Sequence, residues 1–255
     1  MTNEIQRAIA DDGYIVIRDV MSPEFVARAR QELVRAIDAD AARYGEPARR
    51  DYGMVLLCAL HGGAFLELFD NARLMAPFDS VLGDDCIVYA YTSSSMPPEG
   101  KNYSVRVHTD CPRLIPGYVT NMGVTILLDD FADENGATWY LPRSQNRAEA
   151  PGEEEFYRTA RRVIAPAGSA FFFNARLWHA GGLNRTSRWR HALTINMCRP
   201  YMKQRIDIPR AMAHMDLSSL SEQALQKLGF RSQPPASLDE YYLPLEQRSF
   251  RQAAR

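Results

Sequence analysis

Long apolar runs are missing from this chain. No stretch approaches the ~20 consecutive apolar residues that a membrane-spanning helix needs. The opening Met1-Thr-Asn-Glu-Ile-Gln-Arg7 has no apolar leader core, so a soluble, cytoplasmic setting is the expectation. An excess of one charge is missing too: 30 Lys and Arg against 31 Asp and Glu leave a formal net charge of −1. That balance gives no case for a nucleic-acid or membrane-surface partner. Lysine itself is scarce, at Lys101, Lys203 and Lys227 alone, and no function is drawn from it. Cys58, Cys86, Cys111 and Cys198 form no CxxC pair, which excludes a zinc knuckle or a thioredoxin-like motif. They read as reduced, buried or half-buried thiols. Internal repeats are absent as well.

What is present is enough apolar character for a substantial core: 46% of 255 residues. Gly13-Tyr-Ile-Val-Ile-Arg18 reads as a strand after a short helix. Ser22 and Pro23 open a helix expected to run to about Arg43, with Phe25, Ala29, Leu33 and Ile37 on its apolar face. Residues 44–62 carry mixed signals. Ala64 to Leu82 reads as one helix. From Cys86 onward, short apolar runs alternate with Gly, Pro and Asn: 87–92, 103–108, 119–128, 138–141, 162–164, 169–173 and 189–198. That texture indicates a β-sandwich or barrel. A late helix, Ser221 to Leu228, ends at Gly229, and the tail from Gln233 shows little periodicity. The expectation is one α+β domain: a mainly helical buttress over 1–85, a jelly-roll core over 86–200, and a C-terminal helix and tail over 201–255.

The chemistry concentrates in Val105-Arg-Val-His-Thr-Asp110 and at His179. In a strand, residues two apart share a face, so His108 and Asp110 would stand side by side. A second histidine from across the sheet would complete two nitrogens and one oxygen on one face of a metal, leaving the other face open. A His-x-Asp pair alone carries little information, and either histidine alone reads equally as packed or surface. A zinc hydrolase could use the same three groups.

Further motifs in order decide between these. Asp12-Gly-Tyr-Ile-Val-Ile-Arg-Asp-Val-Met-Ser-Pro-Glu24, His108-Thr-Asp110, Asp129-Asp-Phe-Ala-Asp-Glu-Asn-Gly-Ala-Thr-Trp-Tyr-Leu-Pro-Arg-Ser144 and His179-Ala-Gly-Gly-Leu-Asn-Arg-Thr-Ser-Arg-Trp-Arg190 all bear on one family. Together, from about residue 6 to about 200, they resemble the phytanoyl-CoA dioxygenase family of Fe(II)/2-oxoglutarate oxygenases. The resemblance implies a double-stranded β-helix, cupin-like, buttressed by the N-terminal helices. It implies Fe(II), the co-substrate 2-oxoglutarate and O₂, with His108, Asp110 and His179 as metal ligands. It assigns Arg190, eleven residues after His179, to the far carboxylate of 2-oxoglutarate; Arg185, Arg188 and Arg199 are the neighbours it passes over. Thr125 falls where a side chain meets 2-oxoglutarate, though a threonine in a strand needs no such role. Retention of Asp110 argues against halogenation, for which related enzymes replace the carboxylate.

Two positions depart from the pattern. Pro142-Arg-Ser-Gln145 replaces the family's Pro-Gly-Ser-His, and Gly181 stands where some members carry a small polar co-substrate contact. The expected activity is hydroxylation of an aliphatic C–H, with desaturation, epimerisation or cyclisation as other outcomes. A catalytically silent barrel is the reading from a different class. Tyr103, Arg106, Arg113, Asn121, Trp139 and Arg176 are candidates for reaching substrate, each with a surface or packing alternative. The loops 93–101 and 111–118 could form a lid. An acyl-CoA would want a basic cluster, and only Arg49-Arg50 and Arg161-Arg162 are adjacent. A small polar metabolite or natural-product intermediate is therefore preferred to phytanoyl-CoA as substrate.

Overall fold

The computed structural model of the chain describes residues 2–45 and 53–247. Arg49-Arg50, part of the stretch 44–62 and the end of the tail lie outside the described residues. Helix α1 (Thr2–Arg7) runs into a π-helical turn, Ala8–Asp12, that Gly13 closes at φ 87°. Strand β1 (Tyr14–Ile17) follows. Ser22 then caps α2 (Pro23–Tyr44): its Oγ accepts from the Phe25 amide at 3.2 Å, and Pro23 supplies a ready-made first turn. Val26, Ala29, Leu33, Ala36 and Ile37 form the buried side of this helix.

The helix expected over Ala64–Leu82 is broken. It divides into α3 (Ala64–Glu67), a 3-10 turn (Leu68–Asp70) and α4 (Ala72–Leu82). Asn71 makes the break: its backbone is extended, its Oδ1 caps the Leu74 amide at 3.1 Å, and its Nδ2 donates to Val20 O at 3.1 Å.

The remaining strands are β2 (Ile87–Ser93), β3 (Asn121–Leu127), β4 (Trp139–Tyr140), β5 (Arg161–Arg162), β6 (Ala170–Asn174), β7 (His179–Ala180) and β8 (Ala192–Cys198). They form a five-stranded antiparallel sheet, ordered β1-β6-β3-β8-β2, and a three-stranded one, β5-β4-β7. Strand β1, from the helical end of the chain, is thus sewn into the edge of the larger sheet beside β6.

Alternation gives that sheet two different faces. Met122, Val124, Ile126, Phe172, Leu193, Ile195 and Met197 pack against the helices in one apolar core. Leu127, Phe171, Phe173 and Ala192 face the other way and join Tyr140 of the small sheet in a second core. Asn121, Gly123, Thr125, Thr194 and Asn196 share this inner face by strand parity.

The stretch expected as a strand over 103–108 is a 3-10 turn, Tyr103–Val105, held by Asn102 Oδ1, which accepts from the Ser104 amide at 2.9 Å. Only His108 within it bridges to a strand, at His179. Beyond the core lie α5 (Glu153–Thr159), α6 (Ile208–Ala211), α7 (Glu222–Lys227) and α8 (Leu238–Tyr241). The tail is therefore not without structure: Ser237 Oγ caps α8 by accepting from the Glu240 amide at 3.1 Å. Among the described residues no helix is long and apolar enough to cross a membrane.

Candidate metal centre

His108 and His179 exchange both backbone hydrogen bonds, at 2.9 and 3.0 Å. A pair bonded in this way projects its side chains to one face. Their rings accordingly lie side by side, with centroids 4.3 Å apart. Asp110, two residues on, brings Oδ1 to 3.5 Å from His108 Nε2 and 3.7 Å from His179 Nε2. The ligand-capable atoms of the three residues all fall within 4.8 Å of one another, a spacing that can hold a metal ion.

The proton positions suit a metal as well. His108 Nδ1 lies 2.7 Å from Arg106 O, and His179 Nδ1 lies 2.9 Å from Leu177 O. A carbonyl only accepts, so both Nδ1 atoms carry the proton and both Nε2 lone pairs point toward Asp110. Burial pushes His179 below the ordinary histidine range, and His108 alongside adds to the effect. Burial also acts downward on His108, but Asp110 beside it outweighs that and leaves its pKa raised. Burial opposes ionisation of Asp110, but His179 and His108 hold its pKa below the usual value. The carboxylate and His108 side chains each remain a quarter exposed, so one side of the cluster opens outward.

Phe173 backs the cluster from inside, its ring centroid 5.0 Å from that of His179. Gly123 opposite makes the room: a Cβ there would lie 2.3 Å from the Phe173 ring.

Arg190 enters the interior just before β8. It is buried, with its guanidinium 4.2 Å above the Phe131 ring. Nη1 donates to Ser94 O at 2.8 Å and Nη2 to Gly136 O at 3.0 Å, while the buried Nε has no partner. Among the described residues no carboxylate forms an ion pair with it. Burial lowers its pKa to about 10, and Asp129 acts in the opposite direction. A desolvated guanidinium held by neutral carbonyls, with an N–H unmatched, fits an incoming carboxylate. Gly136 takes part through its backbone: at φ 82°, a Cβ would meet Gly182 O at 2.9 Å. Asn184 ties the same loops together, donating to Pro97 O at 2.9 Å and Arg188 O at 2.7 Å.

The other sequence candidates are dispersed. Thr125 is buried in the inner face of β3, between Thr194 and Phe171. Tyr103, Arg106 and Arg113 are exposed on the segments that flank the metal cluster. Arg176 is buried as a clamp, donating to Pro112 O at 2.8 Å, to Gln145 O at 3.4 Å and to Arg147 O. Trp139 pairs with Ala180, so it faces away from the Tyr140–His179 side, and it lies under Arg162 at 4.1 Å. The vacancy at Gly181 is filled from elsewhere: a Cβ there would stand 2.4 Å from Ser104 Oγ.

Sequence reasoning missed Asn196. Its Nδ2 donates to Asp110 Oδ2 at 3.3 Å. The available signal was its place in Ala192-Leu-Thr-Ile-Asn-Met-Cys198, where alternation turns Thr194 and Asn196 away from the apolar face.

The model of the family described as Phytanoyl-CoA dioxygenase (PhyH) matches residues 9–192. "Uncharacterized protein Rv1501" of Mycobacterium tuberculosis is 29% identical over 257 residues, covering 98% of this chain and 94% of that protein. "Dioxygenase ALT11" of Alternaria alternata is 24% identical, covering 91% of this chain and 83% of its own length. Among solved structures, the apo form of the non-heme monooxygenase ThoJ superposes with a TM-score of 0.67 at 20% identity, covering 79% of this chain and 80% of that one. EctD from S. alaskensis, solved with 2-oxoglutarate and 5-hydroxyectoine, gives 0.64 at 19% identity, covering 78% of this chain and 76% of that one. These structures share the fold.

Proposed function

The chain belongs to the phytanoyl-CoA dioxygenase family, and from that premise we propose that it is an Fe(II)- and 2-oxoglutarate-dependent dioxygenase. On this reading it hydroxylates an aliphatic C–H of a small polar metabolite or natural-product intermediate, releasing succinate and CO₂, on a double-stranded β-helix. The carrying observation is the convergence of His108 Nε2, His179 Nε2 and Asp110 Oδ1, with both Nδ1 atoms held by backbone carbonyls. Two nitrogens and one oxygen on one side suit a ferrous ion whose other positions stay open. Bound there, iron with 2-oxoglutarate and O₂ would supply the oxidising power, and the keto acid would leave as succinate and CO₂.

The protein's own contribution is placement. Arg190, already stripped of water, offers its fork to the carboxylate of 2-oxoglutarate remote from the keto group. Thr125 lines the same inner face and would contact the co-substrate. Phe131, Phe171, Phe173 and Leu127 keep water from the interior. The organic substrate would enter on the open side, where Tyr103, Arg106 and Arg113 can reach it. Desaturation, epimerisation and ring closure use the same parts, and product mass separates them from hydroxylation.

The test is succinate release from 2-oxoglutarate with Fe(II), screened against metabolites for a product 16 mass units heavier than its substrate. Succinate should fall to background in His108→Ala. Turnover that needs no oxygen, or that survives this change, would remove the proposal.

A further inference from the structure

Only one oxygen of Asp110 faces the two histidines. The other, Oδ2, is turned to Asn196, and Asn196 is in turn bonded to Asn121, whose Nδ2 donates to Asn196 Oδ1 at 3.2 Å. We propose that Asn196 and Asn121 form an amide relay of fixed polarity that orients the Asp110 carboxylate, so that it binds metal through Oδ1 alone. This rests on the reading of His108, Asp110 and His179 as a metal centre.

The polarity follows from hydrogen-bond chemistry. An ionised carboxylate only accepts, so Asn196 must present its NH₂ to Asp110. Its carbonyl oxygen is then turned to Asn121, which must also answer with NH₂. Asn121 Oδ1 is left at the far end, buried and without a partner. Turning over Asn121 would set two carbonyl oxygens against each other, and turning over Asn196 would set one against the carboxylate. Each residue therefore has one permitted orientation, dictated from the metal side.

The strands fix the positions. In the β3–β8 ladder Gly123 pairs with Asn196 and Asn121 with Cys198, so the two amides are diagonal neighbours on the inner face. The burial of Met122, Ile195 and Met197 on the other face locks that register. Both amides are themselves buried, Asn121 at 3% and Asn196 at 5% exposed. Two apolar side chains would pack such a site without an orphaned oxygen, so packing alone gives no reason for the pair. Orientation of Asp110 does. A carboxylate free to rotate can offer both oxygens and occupy one of the positions that co-substrate and oxygen require.

Two asparagines are positioning residues on this account, so the test reads metal binding rather than turnover. Apo protein is titrated with Co(II) and with Ni(II), by calorimetry and by the visible spectrum of the Co(II) form, with its melting temperature as the folding control. Asn196→Leu should weaken binding roughly 10–100-fold. Asn121→Leu, one link further out, should weaken it roughly three- to tenfold and alter the Co(II) spectrum in the same sense. Asn121→Ser keeps a donor for Asn196 and should stay within about twofold of wild type. In the Asn196→Leu background, Asn121→Leu should have no further effect. Wild-type binding by Asn121→Leu, equal losses in the serine and leucine variants, or full additivity in the double variant would each overturn the relay while leaving the metal centre intact. Wild-type protein that binds neither metal would end the metal reading itself, and the relay with it.

Discussion

The two faces of the five-stranded sheet are built from the same strands and do different work. On the helix side, Met122, Val124, Ile126, Phe172, Leu193, Ile195 and Met197 are all buried and all apolar. On the inner side the apolar Leu127, Phe171, Phe173 and Ala192 are interspersed with Asn121, Gly123, Thr125, Thr194 and Asn196. Burial on the helix side stabilises the sheet and sets its register. The inner side holds buried amides, a missing side chain at Gly123 and an unmatched guanidinium N–H at Arg190, which on the proposed reading shape a site. Substitutions should divide accordingly, into losses of stability with binding intact and losses of binding with stability intact.

The largest expected effect on the helix side is Phe172→Ala. Phe172 is fully buried, edge-on to Phe78 at 5.4 Å, and its truncation should cost about 3–5 kcal/mol of unfolding free energy. Chemical denaturation measures it, and metal affinity well below the melting temperature should be unchanged. If the metal affinity fell in proportion, the two faces would not be separable.

Arg190→Lys is the inner-face counterpart. It keeps the charge but loses the planar fork, and should raise the KM for 2-oxoglutarate on the order of 10–100-fold, with little change in melting temperature. Equal KM values in the two proteins would show that the guanidinium is not the co-substrate anchor. Gly123→Ala should act on both properties. The added Cβ would collide with the Phe173 ring that backs His179, which should cost about 1–3 kcal/mol and weaken metal binding.

The legibility of the chain follows the same division. Where one regular element carried its own signals, the sequence was readable: Ser22-Pro23 and the spaced apolar residues of α2, or the alternation in β3 and β8. Where a tertiary contact overrode local pattern, it was not. The alternating apolar residues of 103–108 resemble a strand, but Asn102 folds the first half into a turn and only His108 finds a partner. The helix expected over Ala64–Leu82 breaks at Asn71, whose side chain bonds both Leu74 and Val20. In the candidate site, the family's motifs pointed to His108, Asp110, His179 and Arg190, and the first three converge. Asn196, Ser104 and the carbonyl clamps on Arg190 and Arg176 were not, because each depends on segments distant in sequence meeting in space. Trp139 is a candidate for reaching substrate, yet strand parity turns it outward beneath Arg162.

The smallest expected effect concerns the buried thiols. Burial raises Cys86 to about 11 and Cys198 to about 12. A free thiol ionises near pH 8.5, so between that pH and about 11–12 the unfolded chain gives up protons that the folded one keeps. Their contribution to stability is complete below about pH 8.5 and should decline as pH rises above it. Melting temperature followed upward from pH 8 should fall shallowly, and less in Cys198→Ala. A flat profile would mean that these thiols are not shielded in the folded state.

The proposed pairing of the His108, Asp110 and His179 cluster with the buried Arg190 guanidinium is tested most directly by anaerobic titration of Fe(II)-loaded protein with 2-oxoglutarate, followed by visible absorption. A one-to-one charge-transfer band, absent in His179→Ala and shifted to higher 2-oxoglutarate concentration in Arg190→Lys, is the predicted result. A wild-type protein that takes up Fe(II) but gives no band with the keto acid, or a band indifferent to both changes, would contradict it.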